Sequence, residues 1–520
     1  MKRFLRESIR DLPDALKSKN VHIVIGNEAS DADSIISSIT YAYYLQQKRV
    51  WVDSPSLFSL CDTGCESSEL DCTKGFCVPV NTHIIPLLSI NSDDINIRPD
   101  VKLIFQKIGL VPRGLLSFNE FMHSYSNSGS KSDVSISLVD HNTLSAAMKT
   151  SLDETLSACQ IADSTYAKPS YRVSNILDHH KDQLLYITSP SDTKCLDQSY
   201  LPLSEGNVTS TASTSTSPTT TTTTTATATP LRNIAYDNAA KKETAGSCCS
   251  LILEEYQSTA IGRYLLDMKG DSICDGDGDG SSIITTLLCV LLLDTCNLNP
   301  NRTSPRDHVA MKFLLERHLT AYPSSISGNH MFNELSSAKS NVEFWKQLSI
   351  VDVLRLDYKM FPVLAPPMAK PLTFGISSIM IPMQLFFQQG EPQPQTETET
   401  ETEREHVSLA LSVYDSIMAK MSSNGLCGYA VTTMFCDGNS PVYNRELCIF
   451  FPSDGTGGIK SKMIEYCAHS AKEFQFQEVV EILIDNIQSD KTMNVLYYKQ
   501  NNSGLSRKQI APLLQHFSSW

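Results

Sequence analysis

Apolar residues along the first half of the chain follow two periodicities. The alternating stretch "VHIVI" (21–25) predicts a buried β-strand, and from Asp33 onward the apolar residues recur at helical spacing. Two further apolar runs each end in an acid, at 135–140 ("SISLVD") and 174–178 ("SNILD"). The run at 285–295 ("TTLLCVLLLDT") predicts a helix that also ends near an aspartate. Strands that alternate with helices predict an α/β fold with a doubly wound parallel sheet.

The N-terminal residues "MKRFLRESIRDLPDALK" predict one amphipathic surface helix, because five apolar residues share a helical face: Phe4, Leu5, Ile9, Leu12 and Leu16. This segment lacks the apolar region of a signal peptide, and its acidic residues are atypical of a transit peptide. The longest apolar run is Ile283–Leu293. It is shorter than the roughly 20 residues that span a bilayer. We therefore expect no membrane association.

Four stretches have the composition of insertions. The cysteines of 61–77 match no zinc-module spacing, so a loop with incidental thiols is favoured, with a zinc knuckle as the alternative. The stretch 209–230, with seven consecutive threonines, is predicted to be disordered. "DGDGDG" (275–280) resembles the start of a calcium loop, but Thr286 occupies the position of the bidentate glutamate, which favours a flexible loop. The Glu/Thr tract 390–406 is predicted to be solvated.

The length of 520 residues is too great for one ordinary domain. We expect a first α/β domain and a second, smaller α/β domain. Their predicted bounds are 1–330, with insertions at about 57–80, 190–232 and 270–281, and 335–520, with an insertion at about 388–407.

Charge and cysteine content narrow the class of function. The formal net charge is −14, which argues against a nucleic-acid-binding protein but allows a small phosphorylated substrate bound by a few focused cations or metal ions. The 15 cysteines are an odd number scattered through apolar runs. This pattern favours reduced thiols in a cytoplasmic protein over a disulfide scaffold.

Carboxylates and histidines follow the predicted strands and the apolar helix. These residues are Asp31, Asp33, Asp140, His179, His180 and Asp294. Any one acid alone is more simply explained as a helix N-cap or a solvent contact. Because the carboxyl ends of parallel strands meet at one edge of a sheet, we expect the set to converge there. Together they suffice for two divalent cations, which a shared carboxylate would hold about 3.5–4 Å apart for hydrolytic phosphoryl transfer.

The motifs "GNEASDADS", "LVDHN", "ILDHH" and "LLLDTCN" resemble the four motifs of the DHH phosphoesterase superfamily. In the second half, "VDVLRLDYKMF", "FGISSI" and "LSRKQIAPLL" resemble the DHH-associated domain of family II inorganic pyrophosphatases and their relatives. The "GNE" opening, residues 85–101 and "GSCCSLI" are most similar to fungal cytosolic exopolyphosphatases, then to animal prune proteins. The resemblance covers nearly the whole chain outside the four insertions.

The resemblance implies two divalent cations, with Asp140 bridging both. Asp31 would complete one site, and Asp33, His179 and Asp294 the other. Asn27 stands where family II pyrophosphatases have a histidine ligand. An amide oxygen in place of imidazole makes the site more oxygen-rich, which favours Mg²⁺ and leaves Mn²⁺ or Co²⁺ as alternatives.

The resemblance also implies roles in catalysis and substrate binding. Asp140, His179 and His180 would be the catalytic residues, with His180 meeting substrate or leaving group and Asp178 orienting an imidazole. The expected phosphate contacts outside the metal site are Arg98, Lys359, Ser377, Ser378, Arg507 and Lys508. The two serines have a second interpretation, as part of a tight start to a strand.

The predicted function is therefore an exopolyphosphatase that releases orthophosphate from the end of inorganic polyphosphate, with polyphosphate as the expected partner. The alternatives are a prune-like short-chain polyphosphatase or cyclic-nucleotide phosphodiesterase, an inorganic pyrophosphatase, and a non-enzymatic scaffold. Intact acids in all four motifs argue against the scaffold. A RecJ-like nuclease is disfavoured because its surface should be more basic and its second half should lack "SRKQ".

Overall fold

A computed structural model describes residues 1–53, 75–111, 114–130, 132–158, 169–183, 185–186, 230–240, 242–267, 279–321, 327–363, 372–388, 402–435, 444–452, 464–469, 474–478 and 493–516. The chain divides into two units. Unit 1 comprises Met1–Ser92 and Ile104–Phe332, and unit 2 comprises Asp93–Leu103 and Asn333–Trp520.

Unit 1 is built on a six-stranded, all-parallel sheet. Its strands are β1 (Asn20–Ile25), β2 (Thr82–Leu88), β3 (Leu116–Ser117), β4 (Val134–Val139), β5 (Tyr171–Asp178) and β6 (Leu231–Ile234). Their spatial order is β3-β2-β1-β4-β5-β6. In the centre, Ile25 of β1 pairs with Leu87 on one side and Leu138 on the other. A two-stranded antiparallel hairpin, β7 (Tyr236–Asp237) and β8 (Lys242–Glu243), follows β6.

Helices cover both faces of this sheet. The helices of residues 1–321 are, in chain order, α1 (Lys2–Arg10), α2 (Leu12–Ser18), α3 (Ala32–Asp53), α4 (Pro99–Lys107), α5 (Phe118–Asn127), α6 (Ala146–Ala158), α7 (Cys248–Ser258), α8 (Ala260–Asp267), α9 (Asp279–Asp294) and α10 (Pro305–Ala321). On one face, α2, α5 and α6 bury apolar side chains in a common core with β1, β2, β4 and β5. On the other, α3 packs along β1 and β2, and α7 packs on β5. The burial of both sheet faces explains the near-continuous apolar strands.

Unit 2 contains a six-stranded mixed sheet. Its strands are β9 (Tyr358–Pro362), β10 (Thr373–Ile379), β11 (Gly428–Thr433), β12 (Arg445–Pro452), β13 (Phe476–Glu478) and β14 (Met493–Gln500), in the order β13-β14-β12-β11-β10-β9. β10 and β11 are parallel, and the other neighbours are antiparallel. The accompanying helices are α11 (Gly328–Lys339), α12 (Val342–Lys346), α13 (Ile350–Leu356), α14 (Met383–Phe387), α15 (Thr402–Asn424) and α16 (Arg507–His516).

The segment Asp93–Leu103 lies between strands of unit 1 in the chain but belongs to unit 2. It includes most of a 3₁₀ helix, Ser92–Ile97, and the start of α4. Ile97 packs against the core of unit 2, and Arg98 donates from Nη2 to the carbonyl oxygen of Leu356 at 3.0 Å. The carboxylate of Asp94 accepts from Arg355 at 3.0 Å. The segment is thus an integral part of the second unit.

The structure confirms the predicted α/β fold with a doubly wound parallel sheet and a second α/β unit. The prediction of a single N-terminal helix was wrong, because α1 ends before Asp11 and α2 begins after it. Pro13, in the first turn of α2, lacks the N–H that a continuous helix would need there. In the described residues, no helix is both long enough and apolar enough to cross a membrane.

The predicted insertions lie largely outside the described residues. The Thr-rich stretch falls there except for Pro230, as do most of the cysteine-rich stretch and the start of "DGDGDG". Two ends of these stretches are described. α9 begins at Asp279, within the last residues of "DGDGDG", and α15 begins at Thr402, within the Glu/Thr tract.

Candidate metal centre

The residues that follow the central strands meet at the topological switch point of the parallel sheet. The strand order reverses between β1 and β4, and open α/β sheets bind ligands in the crevice at such a point. Asn27 follows β1, Asp140 follows β4, and His179 and His180 follow β5. The predicted convergence of these side chains is therefore seen in unit 1.

Asp140 is at the centre of this group and is almost fully buried. Its backbone is left-handed, with φ of 60°, a conformation that Asp and Asn adopt more readily than other non-glycine residues. Oδ2 accepts hydrogen bonds from Ser34 Oγ at 2.6 Å and from Asn27 Nδ2 at 2.7 Å. Oδ1 lies 3.2 Å from His179 Nε2 and 3.6 Å from His180 Nδ1. The two carboxylate oxygens thus have different surroundings.

The tautomer of His179 follows from its contact with Ala245. Nδ1 lies 3.0 Å from the carbonyl oxygen of Ala245, which can only accept, so Nδ1 carries the proton. The lone pair of Nε2 then faces Oδ1 of Asp140 at 3.2 Å. Two electron-pair donors at this distance require a cation or a proton between them. This arrangement, a histidine whose second nitrogen donates to a carbonyl, is typical of metal-ligating histidines.

His180 is held by Asp178, which is fully buried. Nδ1 of His180 lies 2.9 Å from Oδ1 of Asp178, and the other carboxylate oxygen accepts from Asn142 Nδ2 at 2.5 Å. Burial acts to raise the pKa of Asp178, but the charge and hydrogen bond of His180, together with His179, lower it to about 2. Asp178 is therefore a carboxylate that orients an imidazole, and the imidazole is that of His180.

Asp33 lies in the first turn of α3, and both of its oxygens accept hydrogen bonds. Oδ1 accepts from Ser37 Oγ at 3.1 Å and from the N–H of Cys249 at 3.2 Å. Oδ2 accepts from Ser247 Oγ at 3.1 Å and from the N–H of Cys248 at 2.7 Å. Ser247 is the N-cap of α7, so the amino-terminal end of that helix faces the carboxylate and stabilises its charge.

The pKa of Asp33 is raised to about 6, first by burial and then by the carboxylate of Asp140, with a smaller opposing effect from His179. Oδ2 of Asp33 lies 3.9 Å from His179 Nε2. Two buried carboxylates this close to one imidazole form an environment that a divalent cation would stabilise.

Within the described part of the chain, Asp140, His179 and His180 form a group that could hold a metal ion. Each offers one ligand atom, and these atoms lie within 4.8 Å of one another. Carboxylate oxygen and imidazole nitrogen are ligands for divalent cations, so the residues fit a metal.

The other predicted ligands lie near this group in different settings. Oδ1 of Asp31 accepts from the N–H of Ser34 at 3.1 Å, which is the N-cap position of α3. Asp294 is the last residue of α9. Burial raises the pKa of Cys249, the neighbour of Asp33, and the charge of Asp294 is the smallest of the further causes. Their roles as ligands, and that of Asn27, stay predictions.

Lys359 and Arg507, which were predicted to contact phosphate, lie in unit 2 near the carboxylate of Asp357. Lys359 is on β9, and Arg507 is the first residue of α16. Arg507 Nη1 lies 2.7 Å from Oδ1 of Asp357. Burial acts to raise the pKa of Asp357, but Arg507, Lys359 and Lys339 outweigh it and the pKa is lowered. Lys508 is in α16, and its side chain lies outside the described residues.

Arg98 and the two serines are held inside unit 2. Arg98 is 4% exposed, and it donates to backbone carbonyl oxygens of Asp94 and Leu356, both at 3.0 Å. Ser377 and Ser378 are within β10, and the hydroxyl of Ser377 is buried against the carbonyl of Leu354. Ser378 Oγ accepts from Thr432 Oγ1 at 3.1 Å. Their roles as substrate contacts also stay predictions.

Sequence reasoning missed the residues that hold the functional side chains in place. Ser34 supports Asp140, Ser247 supports Asp33, and Asn142 supports Asp178. A signal existed only for Ser247, since a serine directly before an apolar helical run is a typical N-cap. Ser34 and Asn142 act across the sheet edge, which spacing along the chain does not indicate.

The chain is similar to several known proteins. Residues 333–517 match the DHHA2 domain family. The chain is 22% identical over 508 residues to human Exopolyphosphatase PRUNE1, covering 96% of this chain and 76% of that protein. It is 21% identical over 503 residues to the bovine protein of the same name, with the same coverage. A crystal structure from Methanococcus jannaschii, assigned to family II inorganic pyrophosphatases, aligns with a TM-score of 0.44 and 17% identity over 96% of this chain and 100% of that one. Residues 333–517 are thus a DHHA2 domain, and nearly the whole chain is similar to proteins named exopolyphosphatases.

Proposed function

We propose that the protein is a metal-dependent exopolyphosphatase that removes the terminal phosphate of inorganic polyphosphate. The observation that carries this proposal is the group formed by buried Asp140 and His179 with half-buried His180 at the switch point of the parallel sheet. The DHHA2 match and the two relatives named as exopolyphosphatases support the choice of reaction. The cysteine composition supports a cytoplasmic location.

In the proposed reaction, water adds to the terminal phosphorus, and the bond from that phosphorus to the bridging oxygen breaks. The products are orthophosphate and a chain one phosphate shorter. Divalent cations bound at the site would lower the pKa of the attacking water and neutralise charge on the phosphate. Oδ1 of Asp140 and Nε2 of His179 would hold them. Asp178 fixes the orientation of His180, whose ring would contact the substrate.

We propose Mg²⁺ as the preferred cation, since the predicted ligand set has more oxygen than nitrogen. It comprises Asp31, Asp33, Asp140 and Asp294 with one histidine, His179. Hard oxygen ligands suit Mg²⁺, whereas additional imidazole favours transition metals.

We further propose that Lys359, Arg507 and Lys508 contact phosphates beyond the one being removed. A polyanion needs cationic partners along its length, and these residues belong to the DHHA2 domain. Pyrophosphate has no phosphate beyond its leaving group to occupy such contacts, so it should be a poor substrate.

The proposal is tested by measuring phosphate release from long-chain polyphosphate, tripolyphosphate, pyrophosphate and cyclic AMP with the same protein at millimolar Mg²⁺. The longer chains should be hydrolysed fastest, and the Asp140→Asn variant supplies the blank. Faster hydrolysis of pyrophosphate than of any longer chain would replace the proposal with a pyrophosphatase. Cyclic AMP as the best substrate would replace it with a phosphodiesterase.

A further inference from the structure

The side chain of Asn27 makes three hydrogen bonds that together fix its orientation. Its Oδ1 accepts from the N–H of Ala29 at 2.9 Å. Its Nδ2 donates to Oδ2 of Asp140 at 2.7 Å and to the backbone carbonyl oxygen of Asp140 at 3.3 Å. The N–H of Ala29 can only donate, so it must face the oxygen of the amide. The nitrogen of the amide therefore faces Asp140. If Oδ1 and Nδ2 exchanged places, the amide nitrogen would face the N–H of Ala29 and the amide oxygen would face the carboxylate of Asp140, so none of these hydrogen bonds could form.

Ser34 donates to the same oxygen of Asp140. Its Oγ is 2.6 Å from Oδ2, and the same Oγ accepts from the backbone N–H of Asn27 at 3.1 Å. A carboxylate oxygen has about two lone-pair positions, and these two donors occupy them. Oδ1, on the other side of the carboxylate, is the oxygen that faces the imidazoles of His179 and His180.

We propose that Asn27 is a positioning residue rather than a metal ligand. Together with Ser34 it holds Oδ2 of Asp140, so that the carboxylate presents Oδ1 to the cations. This inference rests on the metal site of the proposed function, but it is independent of which phosphate compound is the substrate.

The role requires an amide at position 27. Only a side chain with an acceptor and a donor on one short planar group can meet both Ala29 and Asp140. A carboxylate would repel Asp140, and a glutamine is one methylene longer. A neutral imidazole also has one donor and one acceptor nitrogen, but a histidine that bound a metal through the nitrogen facing Asp140 would no longer support that carboxylate.

The test compares Mg²⁺ binding by the full chain and its variants with isothermal titration calorimetry. Asn27→Ala and Ser34→Ala each remove one of two donors to the same oxygen. Each should weaken Mg²⁺ binding by about 10-fold, as for other residues that support a metal ligand. The double variant should also be about 10-fold weaker, because the carboxylate is already released by the first substitution. Asn301→Ala, at an exposed asparagine, is the matched control and should bind as the wild type.

Three results would overturn the inference. One is that Asn27→Ala binds one Mg²⁺ ion fewer than the wild type while Ser34→Ala binds Mg²⁺ as the wild type does. Another is a double variant whose loss equals the product of the two single losses. Failure of the wild type to bind Mg²⁺ would overturn the proposed function as well, which separates the two kinds of failure.

A second measurement needs only the wild-type fold. In protein labelled with ¹⁵N-asparagine, the side-chain N–H of Asn27 should give a downfield signal typical of a hydrogen bond to a carboxylate. That signal should persist when Mg²⁺ is added. Its disappearance on Mg²⁺ binding would show that the amide leaves Asp140 to serve the metal, and would overturn the inference even if the variants failed to fold.

Discussion

Replacing Asp140 with asparagine should nearly abolish phosphate release while leaving the protein folded. The left-handed backbone at this position, with φ of 60°, is tolerated by asparagine. The oxygen of the new amide can still accept from Ser34 and Asn27, which hold Oδ2 in the wild type. Its nitrogen then points toward Nε2 of His179, in the place of Oδ1. The substitution thus puts an N–H where the cation should bind.

The expected effect of Asp140→Asn is small on the free energy of unfolding and large on kcat. In Asp140→Asn, the hydrogen bonds from Ser34 and Asn27 go to a neutral amide oxygen instead of a carboxylate oxygen, and each should be weaker by about 1 kcal/mol. Because a buried charge is removed at the same time, the free energy of unfolding should change by less than about 2 kcal/mol. Loss of the cation site should lower kcat by more than about four orders of magnitude. That loss corresponds to at least about 5 kcal/mol in the activation free energy, which reduced folding at this level does not explain.

The assay is phosphate release from long-chain polyphosphate at saturating Mg²⁺, paired with thermal unfolding of the same samples. Asp14→Asn, which changes an acid of α2 with a 93% exposed side chain, is the control for loss of one negative charge. Full activity of Asp140→Asn at saturating Mg²⁺ would refute the two-cation mechanism.

Three other predictions concern metal choice, substrate length and acid stability. The wild type should be fully active with Mg²⁺ alone, and Asn27→His should become dependent on Mn²⁺, since imidazole favours transition metals; a wild type that needs Mn²⁺ and ignores millimolar Mg²⁺ would contradict this. Lys508→Ala should raise KM for polyphosphate, and added salt should weaken binding of long chains more than of tripolyphosphate, because more contacts are screened; equal salt effects on both substrates would argue against an extended cationic site. Burial, with a smaller effect of Arg172, lowers the pKa of His22 from 6.5 to about 3, so the unfolded chain takes up a proton below pH 6.5 that the folded chain resists. Between pH 7 and pH 5, the free energy of unfolding of the wild type should therefore fall by about 2 kcal/mol more than that of His22→Gln, as measured by denaturant titration. The same pH dependence in both proteins would contradict this.

The parts of the fold and site that the sequence indicated are those encoded by neighbouring residues. The apolar runs that became β1, β4 and β5 are buried on both faces, so hydrophobicity alone marked them as strands of a covered parallel sheet. The polar residue that follows such a run is placed at the sheet edge by chain connectivity. That is why Asp140 and His179 were expected to meet, and they do.

The parts that sequence did not indicate depend on contacts between distant residues. The support of Asp140 by Ser34 joins positions 106 residues apart, and the support of Asp33 by Ser247 joins positions 214 apart. Serine is common on helices and in loops, so neither contact leaves a pattern in the chain. The orientation of Asn27 likewise follows from the N–H of Ala29, a backbone group that no residue type reveals.

The segment Asp93–Leu103 has a consequence for how the protein is made. A fragment starting at residue 333 would match the DHHA2 family yet lack the guanidinium of Arg98 that satisfies the carbonyl of Leu356, and the Ile97 side chain that packs on its core. On the ribosome, this segment is synthesised about 230 residues before the rest of its unit. At about 5–20 residues per second, that interval is roughly 10–50 s. The segment Asp93–Leu103 is therefore without its unit 2 partners while most of the first unit is translated. The second unit can assemble completely only after that interval.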